Sequence, residues 1–300
     1  MVLNSAAGSI ATADAAATVE RVREAFARSR IEAEIRAVDH ARLSATIEEA
    51  ARSRAEVVVV GGGDGTLSTG AAVLAGKGKP LGILPLGTLN HFARDVGVPL
   101  DLDGAVATIE AGHVNEVDVG EVNGRVFLNN SSVGLYPTAV AEREELRHRH
   151  GGGKWLAMFS VSLDLFRRFP LLDVTLHVEE RAIALTTPFV FVGNNRYDMS
   201  LFALGTRASL QDGLLSVYLT RNTGRLGLIA LALRGLAGRL RQDRDFRSFA
   251  LPEVEIRTGR RALRVSLDGE VVRMTSPIRY TIRPRALRVL TAPDPETAPA

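Results

Sequence analysis

The chain has 300 residues, 46% apolar and 24% charged, with a formal net charge of +3; this is an ordinary globular composition, long enough for one large domain or two ordinary ones. It contains no cysteine, which excludes disulfides, thiolate zinc sites and a cysteine nucleophile. Nearly all the positive charge is arginine and aromatic residues make up only 5%, so no basic-aromatic platform for nucleic acid is present and no nucleic-acid partner is expected.

In chain order, "MVLN" opens with a short strand and a helical stretch follows over residues 11–30. "AEIRAV" (33–38) reads as a strand, 41–54 as a helix, and "EVVVV" (56–60) as a buried parallel strand. A helix starts near Thr66, and "LGILPLG" (81–87) makes the next strand. This β-α-β alternation predicts an α/β N-terminal domain with a parallel sheet over residues 1–116. From residue 117 short strands separated by turn residues predict a β-rich sandwich or barrel over 117–284. Helical segments at 154–169 and 224–240 interrupt it. The last strand-like run, 285–293, is free to return to the first domain, and 294–300 reads as a disordered tail. No charged region followed by an apolar core opens the chain, and its longest apolar stretch is far below the ~20 residues of a membrane span. A cytoplasmic protein is expected.

The stretch "VVVVGGGDGTLSTG" (57–70) carries the chemistry. It lacks the lysine of a Walker loop and the spacing of a Rossmann fingerprint. A strand, then glycines, then a helix N-terminus is nonetheless the physics of an anion site, with a tight strand-to-helix turn as the plain alternative. Asp64 adds information. A carboxylate beside phosphates is electrostatically unfavourable unless it holds Mg²⁺ or takes a proton from a nucleophile; its plain alternative is a helix N-cap. A second glycine turn, "PLGTLNHFARD" (85–95), follows the next strand, so both turns belong at the carboxyl edge of the sheet, where open α/β folds bind ligands.

"GGDGT" followed one strand later by P-x-G-T-x-N-x-F-A-R resembles the diacylglycerol kinase catalytic domain, a superfamily that includes sphingosine and ceramide kinases and soluble bacterial lipid kinases. NAD kinases and phosphofructokinases are more distantly similar. "VLNSAAGS" (2–9) stands where the family has an N-P-x-(S/A)-G loop. "VDVGEVNGRVFLNNSSVGL" (117–135), "SLQDGLLSVYL" (209–219) and "SLDGE" (266–270) resemble its second-domain entry, D-G-x-L-x-V segment and D-G-E motif. The resemblance implies an NAD kinase/phosphofructokinase-like parallel sheet followed by a β-sandwich, and an ATP-dependent lipid kinase acting on diacylglycerol or a related lipid at the membrane surface. A sphingoid base or ceramide is the alternative acceptor, and a soluble nucleotide acceptor or a non-catalytic binding protein stands further off.

The same resemblance implies that Gly62, Gly63, Asp64, Gly65, Thr66, Leu67, Ser68 and Thr88 embrace the ATP phosphates, with Asn4 and Gly8 helping. Asp64 belongs to the Mg²⁺-ATP network, and Glu270 is the general base on the lipid hydroxyl. A structural Mg²⁺ takes the side chain of Asp212 and carbonyls near Ser209 and Leu214. Three positions depart from the family pattern. Ser5 replaces a proline and is expected to loosen its turn, His91 replaces an aspartate, and "GLYP" (134–137) lacks the usual G-x-D-A.

Residues 221–247 carry seven arginines against two aspartates, and Leu226, Ile229, Leu233, Leu236 and Leu240 form one stripe. That stripe suits either an anionic bilayer surface or packing on its own domain; Trp155 and Phe159 mark a second such segment. His148 and His150 flank Arg149 without metal-ligand support. Nothing in the sequence reads out oligomeric state, a homodimer being one option.

Overall fold

A computed structural model describes residues 1–5, 15–134, 171–178, 181–197, 207, 209–220, 227, 234 and 246–292. Gly8, Tyr136 and Pro137 of "GLYP", His148, His150, the 154–169 segment and the tail lie outside these. Of 224–240 only Gly227 and Arg234, both helical, fall inside. The chain divides into two compact units, one of Met1–Val119, Arg125–Leu128 and Arg283–Ala300, the other of Gly120–Gly124 and Asn129–Ile282.

The first unit follows the alternation. Strands β1 (Val2–Asn4), β2 (Arg36–Val38), β3 (Val58–Gly62) and β4 (Leu81–Pro85) lie in the order β2-β1-β3-β4, all neighbours parallel. Beyond β4, Val289 of the strand that ends at Leu290 pairs with Leu81, also parallel, and β5 (Val114–Val122) and β6 (Arg125–Phe127) pair with each other. Helices α1 (Ala15–Arg28), α2 (His40–Arg52), α3 (Asp64–Leu74), α4 (His91–Asp95) and α5 (Leu102–Ala111) connect them. β3 and β4 are buried throughout because parallel strands covered on both faces have no polar side to show. Leu43, Ile47, Leu67, Leu74 and Val106 are the buried side chains of helices that pack on that sheet, and Phe26 is buried on α1, which packs on α5. α3 begins at Asp64, two residues earlier than expected, and α4 and α5 were not anticipated at all.

The second unit is an antiparallel sandwich. One sheet orders β12 (Phe246–Leu251), β11 (Leu215–Thr220), β10 (Phe189–Asn194), β7 (Asn130–Gly134), β14 (Ala262–Leu267) and β15 (Glu270–Thr275). The other runs from the start of β16 (Ile278–Leu290) through β13 (Glu253–Thr258) and β8 (Leu172–Val178) to β9 (Arg181–Thr187). Between the sheets Ser131 Oγ hydrogen-bonds the hydroxyl of the fully buried Tyr280, 2.9 Å away. Burial pushes the Tyr280 phenol far above its ordinary pKa, and the Ser131 hydrogen bond offsets part of that rise. Among the described residues no helix is long and apolar enough to cross a membrane.

Candidate active site

In the first unit the carboxyl ends of β1, β3 and β4 converge. The helices that follow them are capped differently. α2 and α5 are closed by Asp39 and Asp101, whose side chains accept from Arg42 N–H and Gly104 N–H at 3.0 and 2.8 Å. α3 is preceded by Gly63, which supplies no side-chain cap. Thr66 and Leu67 N–H reach back to the Gly63 carbonyl at 2.9 and 3.0 Å. The preceding first-turn donors have no intrahelical acceptor and are open to an anion, which the helix dipole also favours.

Bare backbone is required here. A Cβ on Gly62 would strike the Thr66 side chain, and one on Gly87 would overlap the Gly63 Cα and Asn90 Oδ1. The two glycine turns therefore touch backbone to backbone. The second is shaped by Asn90, left-handed at φ 51° and buried. Its Oδ1 accepts from Gly87 N–H at 3.0 Å, while its Nδ2 donates to the carbonyls of Gly87 at 2.9 Å and Pro85 at 3.3 Å. Thr88 and Leu89 are thereby left exposed at the tip.

Asp64 is not the N-cap. It is the first residue of α3, and its Oδ1 accepts the backbone N–H of Phe92 at 3.1 Å. That bond ties the first glycine turn to α4, which carries His91 as its own first residue. Asn4 is buried, and its Nδ2 donates to Thr66 Oγ1 at 2.9 Å, fixing the end of β1 to the first turn of α3. Leu67 has a different place from its neighbours in the motif. Its side chain is fully buried and its N–H is already donated, so it serves the core and offers the cradle nothing. Ser5 is a tether rather than slack, since its N–H and hydroxyl both bond the Val38 carbonyl, at 2.9 and 3.1 Å. A proline could make neither bond. Ser68 lies half-buried one turn into α3. Asn90 was the residue sequence reasoning passed over. Its signal was available in an asparagine three residues after a turn glycine.

In the second unit Asp268 and Gly269 form the two-residue turn between β14 and β15, with φ 46° and 90°. Asp268 Oδ1 accepts from Asn129 and Asn130 N–H at 2.7 and 3.0 Å, clamping the start of β7. Glu270 follows, exposed at the first position of β15. Ser209, Asp212 and Leu214 share one loop before β11. Ser209 Oγ accepts from Gln211 N–H at 3.1 Å, the Leu214 carbonyl accepts from Asn195 N–H at 3.0 Å, and Asp212 is exposed. Among the described residues no three His, Asp or Glu side chains gather as a metal centre. The loop offers a carboxylate and carbonyl oxygens, and the adjoining Asn195 amide is buried with both polar atoms unbonded. Such an oxygen-rich, singly charged set fits a hard cation that retains several waters.

Residues 1–122 match the diacylglycerol kinase catalytic domain, and 133–291 match the YegS C-terminal NAD kinase beta sandwich-like domain. A protein of Pseudomonas aeruginosa described as "Probable lipid kinase YegS-like" is 34% identical over 251 residues, 81% of this chain and 79% of that protein. One of the same description from Pseudomonas fluorescens is 34% identical over 248 residues, covering 81% and 80%. A solved diacylglycerol kinase from Bacillus anthracis superposes with a TM-score of 0.69 at 21% identity, over 99% of this chain and 97% of that one, a likeness of fold.

Proposed function

We propose that this chain, which belongs to the YegS-like family of lipid kinases, transfers the γ-phosphate of ATP to a hydroxyl of diacylglycerol or a closely related lipid. The observation that carries the reading is the side-chain-free N-terminus of α3, abutted by a second glycine turn, with one carboxylate at its first position. Its open N–H groups, with Gly62, Gly63, Gly65, Ser68 and Thr88 around them, would receive phosphate oxygens. Asn4 acts indirectly, by holding Thr66. Gly8 belongs to the same set by family likeness.

Mg²⁺ would neutralise charge on the phosphates, with Asp64 among its nearest carboxylates, while a second Mg²⁺ would be held by Asp212 with the Ser209 and Leu214 carbonyls. Glu270 takes the proton of the acceptor hydroxyl as its oxygen bonds to the γ-phosphorus and the bond to the β,γ-bridging oxygen breaks, releasing ADP. Phosphoryl transfer asks a protein chiefly for positioning and charge neutralisation, which the rigid pair of turns supports. The protein would work in the cytoplasm, docking peripherally on the bilayer that supplies its acceptor. A sphingoid base or ceramide is the second acceptor class.

The test is γ-labelled ATP with purified protein against diacylglycerol, monoacylglycerol, sphingosine, ceramide and NAD, the lipids in micelles. Label in diacylglycerol is expected; label in NAD alone would end the lipid reading.

A further inference from the structure

Open α/β sheets bind ligands at the carboxyl ends of their strands, yet the first unit has a second opening at the amino ends. There Val57 and Pro80 lead into β3 and β4, and Val114 begins β5. With Ile31 they lie half-buried on the floor of a cavity of about 750 Å³. Val2, Val59 and Leu290 are buried behind them. Small-molecule sites ordinarily enclose ~300–1,000 Å³. The five residues of β3 separate this cavity from the glycine turns by ~15 Å.

The rim is acidic. Glu32, Glu34, Glu49, Glu56 and Glu110 line it, against Arg36, Arg54 and the Met1 ammonium. Arg36 is engaged, pairing with Glu34 at 2.7 Å and Glu49 at 2.9 Å. The Met1 ammonium donates to the Glu34 carbonyl, 2.7 Å away. Glu32, Glu56 and Glu110 make no ion pair among the described residues. A chain whose net charge is +3 thus carries a cavity of net negative charge.

The spread of that charge decides between cations. Among the described residues no three acidic or histidine side chains stand close enough to hold a metal ion, and a hydrated ion gains nothing from an apolar floor. An extended polycation suits both features. Its ammonium groups meet glutamates around the rim, while the methylenes between them cover Ile31, Val57 and Pro80.

We propose that this cavity binds a linear aliphatic polyamine. The site is separate from the phosphate cradle at the other end of the same sheet, so ATP and the polyamine are held together without competing.

Isothermal titration calorimetry of the full chain with spermidine, putrescine and octamethylenediamine tests the proposal, at low ionic strength because salt screens exposed pairs. Octamethylenediamine should bind at least ~10-fold tighter than putrescine, since at equal charge its four extra methylenes cover the floor. The E32Q/E56Q/E110Q variant should weaken spermidine binding ~10-fold. Its melting temperature without ligand should match wild type, because all three side chains are exposed. Ala55→Trp, an exposed position on the cavity wall, should obstruct the opening and weaken spermidine by a similar factor. ATP affinity should be the same in all three proteins. Equal affinity for the two diamines overturns the proposal, as does spermidine binding left unchanged by either variant. Displacement of spermidine by Mg²⁺ at matching concentration also overturns it, since that is the behaviour of a diffuse counter-ion layer. Lipid phosphorylation enters none of these readouts, so the polyamine site and the kinase reading stand or fall separately.

Discussion

The two units build their candidate sites by different means. The first offers an anion its main chain, with glycines that admit no Cβ, an uncapped helix end and side chains such as Asn4 and Asn90 turned inward as braces. The second offers side chains brought together by strand register, Ser132 beside Ser266 and Asp268 against Asn129. A phosphate is the same in every substrate and can be met by a fixed local motif. Groups far apart in sequence, each changeable alone, suit a site that has to be fitted to one particular ligand.

Glu270→Gln should give the largest effect, a fall in kcat of roughly 10²–10⁴ with ATP binding intact. Because Glu270 is exposed, its melting temperature should stay put; a drop would blur the division by making this side chain structural. Gly87→Ala comes next. The new Cβ would meet Gly63 and Asn90, and ATP affinity should weaken ~100-fold with a loss of about 1–3 kcal/mol in thermal melts. Unchanged affinity would break the claim that the first unit recognises through bare backbone.

Asp64 separates bracing from chemistry. In Asp64→Asn the amide oxygen can still accept from Phe92 N–H, so stability should hold while metal dependence and turnover collapse by at least ~10-fold. Asp64→Ala should lose turnover and also about 1 kcal/mol of stability. A fully active Asp64→Asn enzyme would sink the phosphate-site argument and leave only the tether. Smallest is Asp101→Ala, which uncaps α5. About 1 kcal/mol of stability should go, and kcat/KM should not move, since this capped helix end has no part in the proposed site.

Legibility in the sequence follows the same divide. "VVVV", the glycine spacing and the second turn are local, so the strand–turn–helix of the first unit could be read directly. Within that motif adjacency in sequence does not show the helical period that turns the Leu67 side chain into the core. α5 has its signals, Asp101 before it and Gly112 left-handed after it at φ 66°, but its apolar run is too short to stand out from a loop. β12 and β15 went unread because neither has the clean alternation of its neighbours. That Ser131 faces Tyr280 while Ser132 pairs with Ser266 is fixed by partners 149 and 134 positions along the chain. One-residue parity of that kind is decided only when strands pair.

The turn that carries "DGE" separates what a motif spells from what it means. Asp268 and Gly269 both hold positive φ, as a two-residue hairpin demands, and Asp268 also closes onto Asn129 and Asn130. Two of the three letters are thus grammar that any such hairpin would enforce. On the proposed reading of Glu270 as the base, a relative that kept aspartate and glycine but changed the third letter should preserve the architecture and lose turnover. In screening related chains, the glutamate is then the letter to compare with activity.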